Sequence, residues 1–194
     1  MTRKIAVVTG ANRGLGLEIV RQLARQDMTV VLTARDRLKG LKAVERFQEE
    51  ELSVRCRELD VTSASSIDAL GEFLEREFGR CDILVNNAGI FPDVVSYDVG
   101  DPTGGLDAPL ENVRRAMETN TYGPLLLCQR LIPLMRRNQY GRIVNMASDL
   151  ACLTELADVE GKFLAYRMSK VALNMVTRVL VAELKAEGVN ILVN

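Results

Sequence analysis

The sequence predicts an α/β fold in which a doubly wound parallel sheet carries helices on both faces. Short β-branched runs alternate along the chain with longer segments of helical periodicity, which is the pattern of successive βαβ units. One run, DILVN at 82–86, is apolar enough to be buried on both faces, as strands of parallel sheets are. The chain has 194 residues, of which 47% are hydrophobic, so we expect residues 1–194 to form a single domain around one core.

Six strands and five helices are predicted in alternation. The strands cover 4–9, 29–33, 53–59, 82–86, 142–147 and 189–193. The helices cover 13–26, about 38–50, the segment with Ile67, Leu70, Phe73 and Leu74, about 109–135 and about 163–187. Thr62 or Ser63 can cap the third helix, and Gly79 can end it. Three apolar residues share one face of the first helix: Leu15, Ile19 and Leu23.

Two irregular segments follow the predicted fourth and fifth strands. Residues 91–108 are rich in Gly, Pro and Asp, and residues 150–162 are acidic. Open α/β sheets bind their ligands at the carboxyl ends of the strands. We therefore expect both loops to border a ligand site.

Composition excludes several classes of function. The 25 basic and 26 acidic residues give a net charge of −1, which does not indicate binding to nucleic acid or to an anionic membrane. The chain has no histidine, so Ser-His-Asp and Cys-His catalysis and His-ligated metals are excluded, and we predict no metal site. The four cysteines form no CxxC pair and are typical of reduced thiols in a cytoplasmic protein. No apolar run approaches the length of a membrane span.

A glycine-rich turn, TGANRGLG at 9–16, lies between the first predicted strand and helix. Glycines there permit a tight turn and let the backbone approach a pyrophosphate at the helix N-terminus. The spacing G-x-x-x-G-x-G departs from the fingerprint G-x-G-x-x-G, but its position in the first βαβ unit predicts a dinucleotide site. The alternative, glycines that serve packing alone, does not easily explain three of them in seven residues.

The residue that ends the second predicted strand bears on the choice of dinucleotide. A carboxylate there would bind the ribose 2′-OH of NAD, whereas an arginine suits the 2′-phosphate of NADP. Arg35 occupies this place, and Arg13 and Lys39 add positive charge nearby. We therefore expect NADP(H), although Asp36 follows directly and the three cations are also compatible with an ordinary solvated surface.

A candidate acid–base pair opens the last predicted helix. Tyr166 and Lys170 are four residues apart, so their side chains share a face. Phenols titrate near 10, and acid–base work at neutral pH requires a cation that stabilises the phenolate, here the Lys170 ammonium and an oxidised nicotinamide. Ser148, after the fifth strand, offers a hydroxyl to a substrate oxygen, and Asn120 offers an amide to a water or a carbonyl. Taken singly, such a serine usually caps a helix and such an asparagine usually faces solvent.

These motifs together resemble the short-chain dehydrogenase/reductase family. They are TGANRGLG, NNAG at 86–89, Asn120, Ser148 and YRMSK at 166–170, and the stretches VVLTARD, LDVTSASSID and ILVNNAGI are most similar to its NADPH-dependent carbonyl reductases. The resemblance covers essentially the whole chain and implies a Rossmann-like fold. It also implies hydride transfer from the nicotinamide to a small-molecule carbonyl compound, with Tyr166 as proton donor, Lys170 assisting, Ser148 orienting the carbonyl and Asn120 completing a proton relay. The implied cofactor-binding residues are Gly10, Asn12, Arg13, Gly14, Leu15, Gly16, Arg35, Lys39, Asp60, Val61, Asn87, Ala88, Gly89, Tyr166 and Lys170.

Two departures from the family pattern leave alternatives open. Ser148 and Tyr166 are 18 residues apart, more than is usual, and the extra residues fall within 150–162. Monomeric relatives carry a longer insertion there, so a homo-oligomer is possible. Family members also continue past the sixth strand, so we expect a domain truncated before its last strand. The alternative function is therefore a catalytically weak NADP-binding or interaction protein, and a sugar-nucleotide epimerase of the extended type has no room in this length.

Overall fold

The computed structural model describes residues 3–93, 104–154 and 161–194. These residues contain one sheet of six parallel strands in the order β3-β2-β1-β4-β5-β6. The strands are β1 Ile5–Val8, β2 Thr29–Ala34, β3 Val54–Glu58, β4 Ile83–Asn86, β5 Gly141–Asn145 and β6 Ile191–Val193. From β1 the chain first builds outward to β3 and then returns to the other side of β1 with β4. This reversal between β1 and β4 is the point at which doubly wound sheets open a ligand crevice.

Helices cover both faces of the sheet, as the sequence predicts. They are α1 Gly14–Ala24, α2 Arg37–Gln48, α3 Ala64–Phe78, α4 Leu110–Met117, α5 Gly123–Arg137 and α6 Leu164–Ala186. Apolar residues of α1 and α2 pack on one face of the sheet in one core cluster. Those of α3, α5 and α6 pack on the other face in a second cluster. None of the helices in the described ranges is long and apolar enough to cross a membrane.

The third predicted helix has the ends that its sequence indicates. Its N-cap is Ser63, whose side chain accepts a hydrogen bond from the backbone N–H of Ser66, so Ser63 rather than Thr62 caps the helix. Gly79 ends it in the left-handed conformation, with φ +66°, which glycine adopts without strain.

The helix predicted over 109–135 is not one continuous α-helix. A π-helical turn, Glu118–Tyr122, separates α4 from α5. Pro124 lies in the first turn of α5 and has no N–H to donate to the carbonyl of Asn120, four residues earlier. The regular i to i−4 ladder is interrupted there, and the helix widens into a π turn.

The first helix buries a different set of residues from the one that its apolar pattern suggests. Gly16, Val20 and Ala24 face the core, and Ile19 and Leu23 pack at its margin. Leu15 is 71% exposed, because it lies at the mouth of a cavity beside the glycine turn.

The two predicted loops are described only in part. Residues 94–103 of the first and 155–160 of the second lie outside the described ranges. Their described ends meet in an isolated antiparallel bridge between Gly104 and Lys162. A short 3₁₀ turn, Asp149–Ala151, opens the second loop directly after β5.

Candidate active site

A cavity of about 710 Å³ opens at the carboxyl ends of β1 to β4. Every predicted cofactor-binding residue except Tyr166 and Lys170 lines it. The sequence reasoning missed five further lining residues, which are Asp36, Leu59, Thr62, Ile90 and Thr119. Each is adjacent in sequence to a motif position, and that adjacency is the signal that could have identified them.

At Gly10 and Gly16 the glycine turn packs too closely on its neighbours to admit a side chain. Gly10 has φ +61°, and a Cβ on it would lie 2.9 Å from the Cα of Ala88. A Cβ on Gly16 would lie 2.5 Å from Nδ2 of Asn87 and 2.9 Å from the Cα of Ala11. Arg13, the N-cap of α1, makes no side-chain cap, so the first N–H groups of this helix are left for an anion. These residues fit a pyrophosphate.

We expect Gly16→Ala to lower both stability and nucleotide affinity. The new methyl group would meet the Cα of Ala11, which cannot yield, so α1 must move away from the turn. Overpacking of this kind costs about 1–3 kcal/mol of unfolding free energy. Denaturant unfolding and NADPH titration measure the two effects. Gly105→Ala is the matched control, because a Cβ there meets nothing within 4 Å, and equal effects of the two variants would contradict the explanation.

The turn after β4 is fastened to the glycine turn by side chains. Asn87 donates through Nδ2 to the backbone oxygens of Thr9 (2.8 Å) and Gly10 (3.2 Å). In return Oγ1 of Thr9 accepts from the backbone N–H groups of Asn87 (3.0 Å) and Ala88 (2.9 Å). The two walls of the cavity are therefore held at a fixed separation.

The rim of the cavity is positively charged near the end of β2. Arg35 is exposed there and has no ion pair among the described residues. The pKa of Asp60 is lowered chiefly by the hydrogen bond from the N–H of Thr62, and Arg35 contributes. Asp36 caps α2 by accepting from the N–H of Lys39, and its other oxygen lies 3.5 Å from the Lys39 ammonium. Both contacts lower the pKa of Asp36, so its carboxylate belongs to the helix cap.

Tyr166 and Lys170 lie on the first turns of α6. Nζ of Lys170 is 5.6 Å from the centroid of the Tyr166 ring. The same Nζ donates a 2.6 Å hydrogen bond to the carbonyl of Met146, directly after β5. Lys170 is only 5% exposed, and this burial lowers the pKa of its ammonium. Tyr166 and Lys170 therefore lie close together, and the Lys170 ammonium is held at the carboxyl end of β5.

Ser148 caps the 3₁₀ turn after β5. Its Oγ accepts from the N–H of Leu150 (3.2 Å) and donates to Oδ1 of Asp149 (3.0 Å). Arg167, which is buried on α6, donates to the carbonyl of Leu150 and ties this turn to the helix that bears Tyr166. Within the described residues, no hydrogen bond joins Ser148 to Tyr166.

Asn120 is buried in the π turn and does not face solvent. Its Oδ1 accepts from the N–H of Ile90 (2.9 Å), and its Nδ2 donates to the carbonyl of Ile90 (2.9 Å) and to Oγ of Ser169 (3.0 Å). The side chain therefore joins the cavity wall at Ile90 to the helix that carries Tyr166 and Lys170.

The sheet order and the glycine-lined cavity at its strand ends are those of the Rossmann-like class of folds. The sequence model described as short chain dehydrogenase matches residues 4–194, and the chain belongs to that family.

Its relatives include reductases of several kinds. The chain is 41% identical over 165 residues to (+)-neomenthol dehydrogenase of Arabidopsis thaliana, covering 78% of this chain and 56% of that protein. It is 44% identical over 146 residues to carbonyl reductase (NADPH) 1 of Homo sapiens, covering 74% and 48%. It thus spans about half the length of these two relatives. A metagenomic short-chain oxidoreductase in complex with NADP superposes with TM-score 0.80 and 31% identity, covering 98% of this chain and 80% of that one.

Proposed function

We propose that this protein is an NADPH-dependent carbonyl reductase that converts an aldehyde, ketone or quinone to an alcohol. The observation that carries the proposal is the Tyr166–Lys170 pair, one helical turn apart, with the buried ammonium against the Met146 carbonyl. The pair adjoins the nucleotide cavity, since Asn120 bridges Ser169 on α6 to Ile90 in the cavity wall.

The chain's own residues would bind the cofactor, orient the substrate carbonyl and donate a proton to its oxygen. When bound, the nicotinamide supplies the hydride. Tyr166 donates a proton to the carbonyl oxygen, and Lys170 stabilises the phenolate that remains. In a low-dielectric site the attraction between ammonium and phenolate is stronger than in water, and the bond to Met146 offsets part of the desolvation of Lys170. Lys170 would also bind the hydroxyls of the nicotinamide ribose.

Ser148 and Asn120 have more constrained roles than the sequence suggests. To orient a substrate carbonyl, the Ser148 hydroxyl must exchange its bond to Asp149 for one to the substrate. The amide of Asn120 is already bonded to Ile90 and Ser169. A proton relay through Asn120 would therefore use its backbone carbonyl, to which Pro124 offers no N–H.

Nucleotide choice follows from the charge at the end of β2. Arg35 and Lys39 line the cavity where the 2′-phosphate of NADP would lie. Asp36, the carboxylate that could favour NAD, is hydrogen-bonded to the N–H of Lys39 as the cap of α2. This arrangement favours NADPH over NADH.

The proposal is tested by following the absorbance of NADPH with a panel of aldehydes, cyclic ketones, quinones and diketones, with NADH in parallel. We expect turnover with at least one of these classes and a preference for NADPH. Calorimetric titration with NADPH measures binding separately. Tight binding without turnover on any compound would contradict the reductase and favour a nucleotide-binding protein.

A further inference from the structure

A carboxylate from a distant part of the chain lies on the first turn of α6. Phe163, the residue before the helix, has φ +67° and provides no side-chain cap. Asp93 instead accepts from the backbone N–H of Ala165 through Oδ1 (3.1 Å) and from that of Tyr166 through Oδ2 (2.9 Å). Asp93 is only 2% exposed. It thereby satisfies two of the helix's free donors and places negative charge at the positive end of the helix dipole.

The same short segment also contacts the side chain of Tyr166. The ring of Phe91 lies edge-on to that of Tyr166, with centroids 4.3 Å apart and an angle of 69° between the planes. It also packs on the ring of Phe163, at 5.1 Å. Edge-on aromatic contacts restrict how a ring can turn. Residues 91–93 therefore hold Tyr166 at both its backbone and its ring.

This segment is anchored to the wall of the nucleotide cavity. Ile90 lines the cavity and is bonded through its N–H and its carbonyl to the Asn120 amide. Nδ2 of Asn112 donates to the carbonyl of Pro92 at 3.0 Å. A continuous series of contacts thus leads from the cavity wall through residues 90–93 to Tyr166.

We propose that Asp93 is a positioning residue, whose carboxylate fixes the first turn of α6 and thereby sets the phenol of Tyr166 relative to the bound nucleotide. This inference rests on the proposed function, in which Tyr166 is the proton donor. The two oxygens of a carboxylate match two neighbouring N–H groups. An asparagine would present one oxygen to them and turn its NH₂ group toward the other N–H. The geometry therefore requires Asp rather than Asn.

Replacing Asp93 is expected to lower kcat far more than nucleotide affinity. In Asp93→Asn and Asp93→Ala, kcat falls about 10- to 100-fold, the cost of displacing a reacting group by about 1 Å, while the Kd for NADPH stays within about twofold. Asp93→Glu keeps the carboxylate and recovers part of the loss. If the alanine variant does not fold, the asparagine variant, which keeps the volume, carries the test.

Asp82→Asn is the matched control. Asp82 is also a buried carboxylate that accepts from a backbone N–H, that of Ile5 at 2.8 Å, and it is paired with Arg80. It precedes β4 and so lies at the opposite end of the sheet from Tyr166. Its replacement is expected to lower Tm without changing kcat. If Asp82→Asn lowers kcat as much as Asp93→Asn, the effect of Asp93 is one of general stability and the positioning role is wrong.

Amide hydrogen exchange gives a readout that does not depend on activity. The amides of Ala165 and Tyr166 are expected to exchange faster in Asp93→Asn than in wild type, with no change at the same amides in Asp82→Asn. A wild type that reduces no carbonyl compound would refute the proposed function, and the exchange rates would then decide alone whether Asp93 fixes this turn. Unchanged exchange at both amides, or a wild-type kcat in Asp93→Asn, would overturn the inference.

Discussion

Tyr166→Phe is expected to lower kcat for carbonyl reduction about 100- to 10,000-fold, the contribution typical of a positioned general acid. The substitution removes the hydroxyl alone. The ring keeps its edge contact with Phe91, and the backbone N–H keeps its bond to Asp93, so the helix and the cavity are undisturbed. The Kd for NADPH is therefore expected to stay within about twofold. Steady-state kinetics and calorimetric titration measure the two quantities.

Tyr140→Phe is the control for this prediction. The Tyr140 hydroxyl accepts from Nζ of Lys4 at 3.1 Å, and its ring contacts Lys4 and Arg142. Tyr140 precedes β5 and thus lies at the amino end of the sheet, away from the cavity. The same loss of one hydroxyl is expected to leave kcat unchanged. If Tyr166→Phe kept more than about a tenth of wild-type kcat, another group would be the proton donor.

The fold was predictable because its signals are local in sequence. Apolar β-branched runs mark the strands, and the glycine turn marks the junction of β1 and α1, beside the point between β1 and β4 at which the strand order reverses. The helix ends at Ser63 and Gly79 also follow from single residues and their neighbours. The choice between Thr62 and Ser63 stayed open because both carry a hydroxyl, and only the backbone path decides which one caps.

The details that the sequence did not predict depend on contacts between distant residues. The π turn at Asn120 combines a local cause, Pro124, with a bond to Ser169, 49 residues away. Asp93 contacts Ala165 across 72 residues, and no periodicity or spacing indicates such a pair. Leu15 matches the apolar period of its helix, but the nearby cavity leaves it exposed.

The candidate site likewise has features that the sequence predicts and features that it does not. The glycine turn and the segment after β4 line one cavity, because their positions follow from strand ends. The sequence could not decide what Asp36 does, since a carboxylate beside Arg35 is equally suited to a ribose hydroxyl and to a helix N-cap. Only the bond from the Lys39 N–H distinguishes the two.

Arg35→Asp is expected to lower the ratio of kcat/KM for NADPH to that for NADH by at least about 100-fold. The change would remove the charge-assisted hydrogen bond proposed between Arg35 and the 2′-phosphate and would put in its place a carboxylate that repels the phosphate. The new carboxylate would also accept from the 2′-OH of NADH, so the two effects on the ratio have the same sign. The measurement is the pair of specificity constants with one carbonyl substrate.

Arg37→Asp separates this contact from the general effect of charge. It makes the same change of charge two residues further on, at the first position of α2, and Arg37 does not line the nucleotide cavity. If long-range attraction of the phosphates determined the preference, the two variants would shift the ratio alike. Added salt would then abolish both shifts. A direct contact predicts a shift for Arg35→Asp alone, which persists in salt. An unchanged ratio in Arg35→Asp would place the 2′-phosphate elsewhere in the cavity.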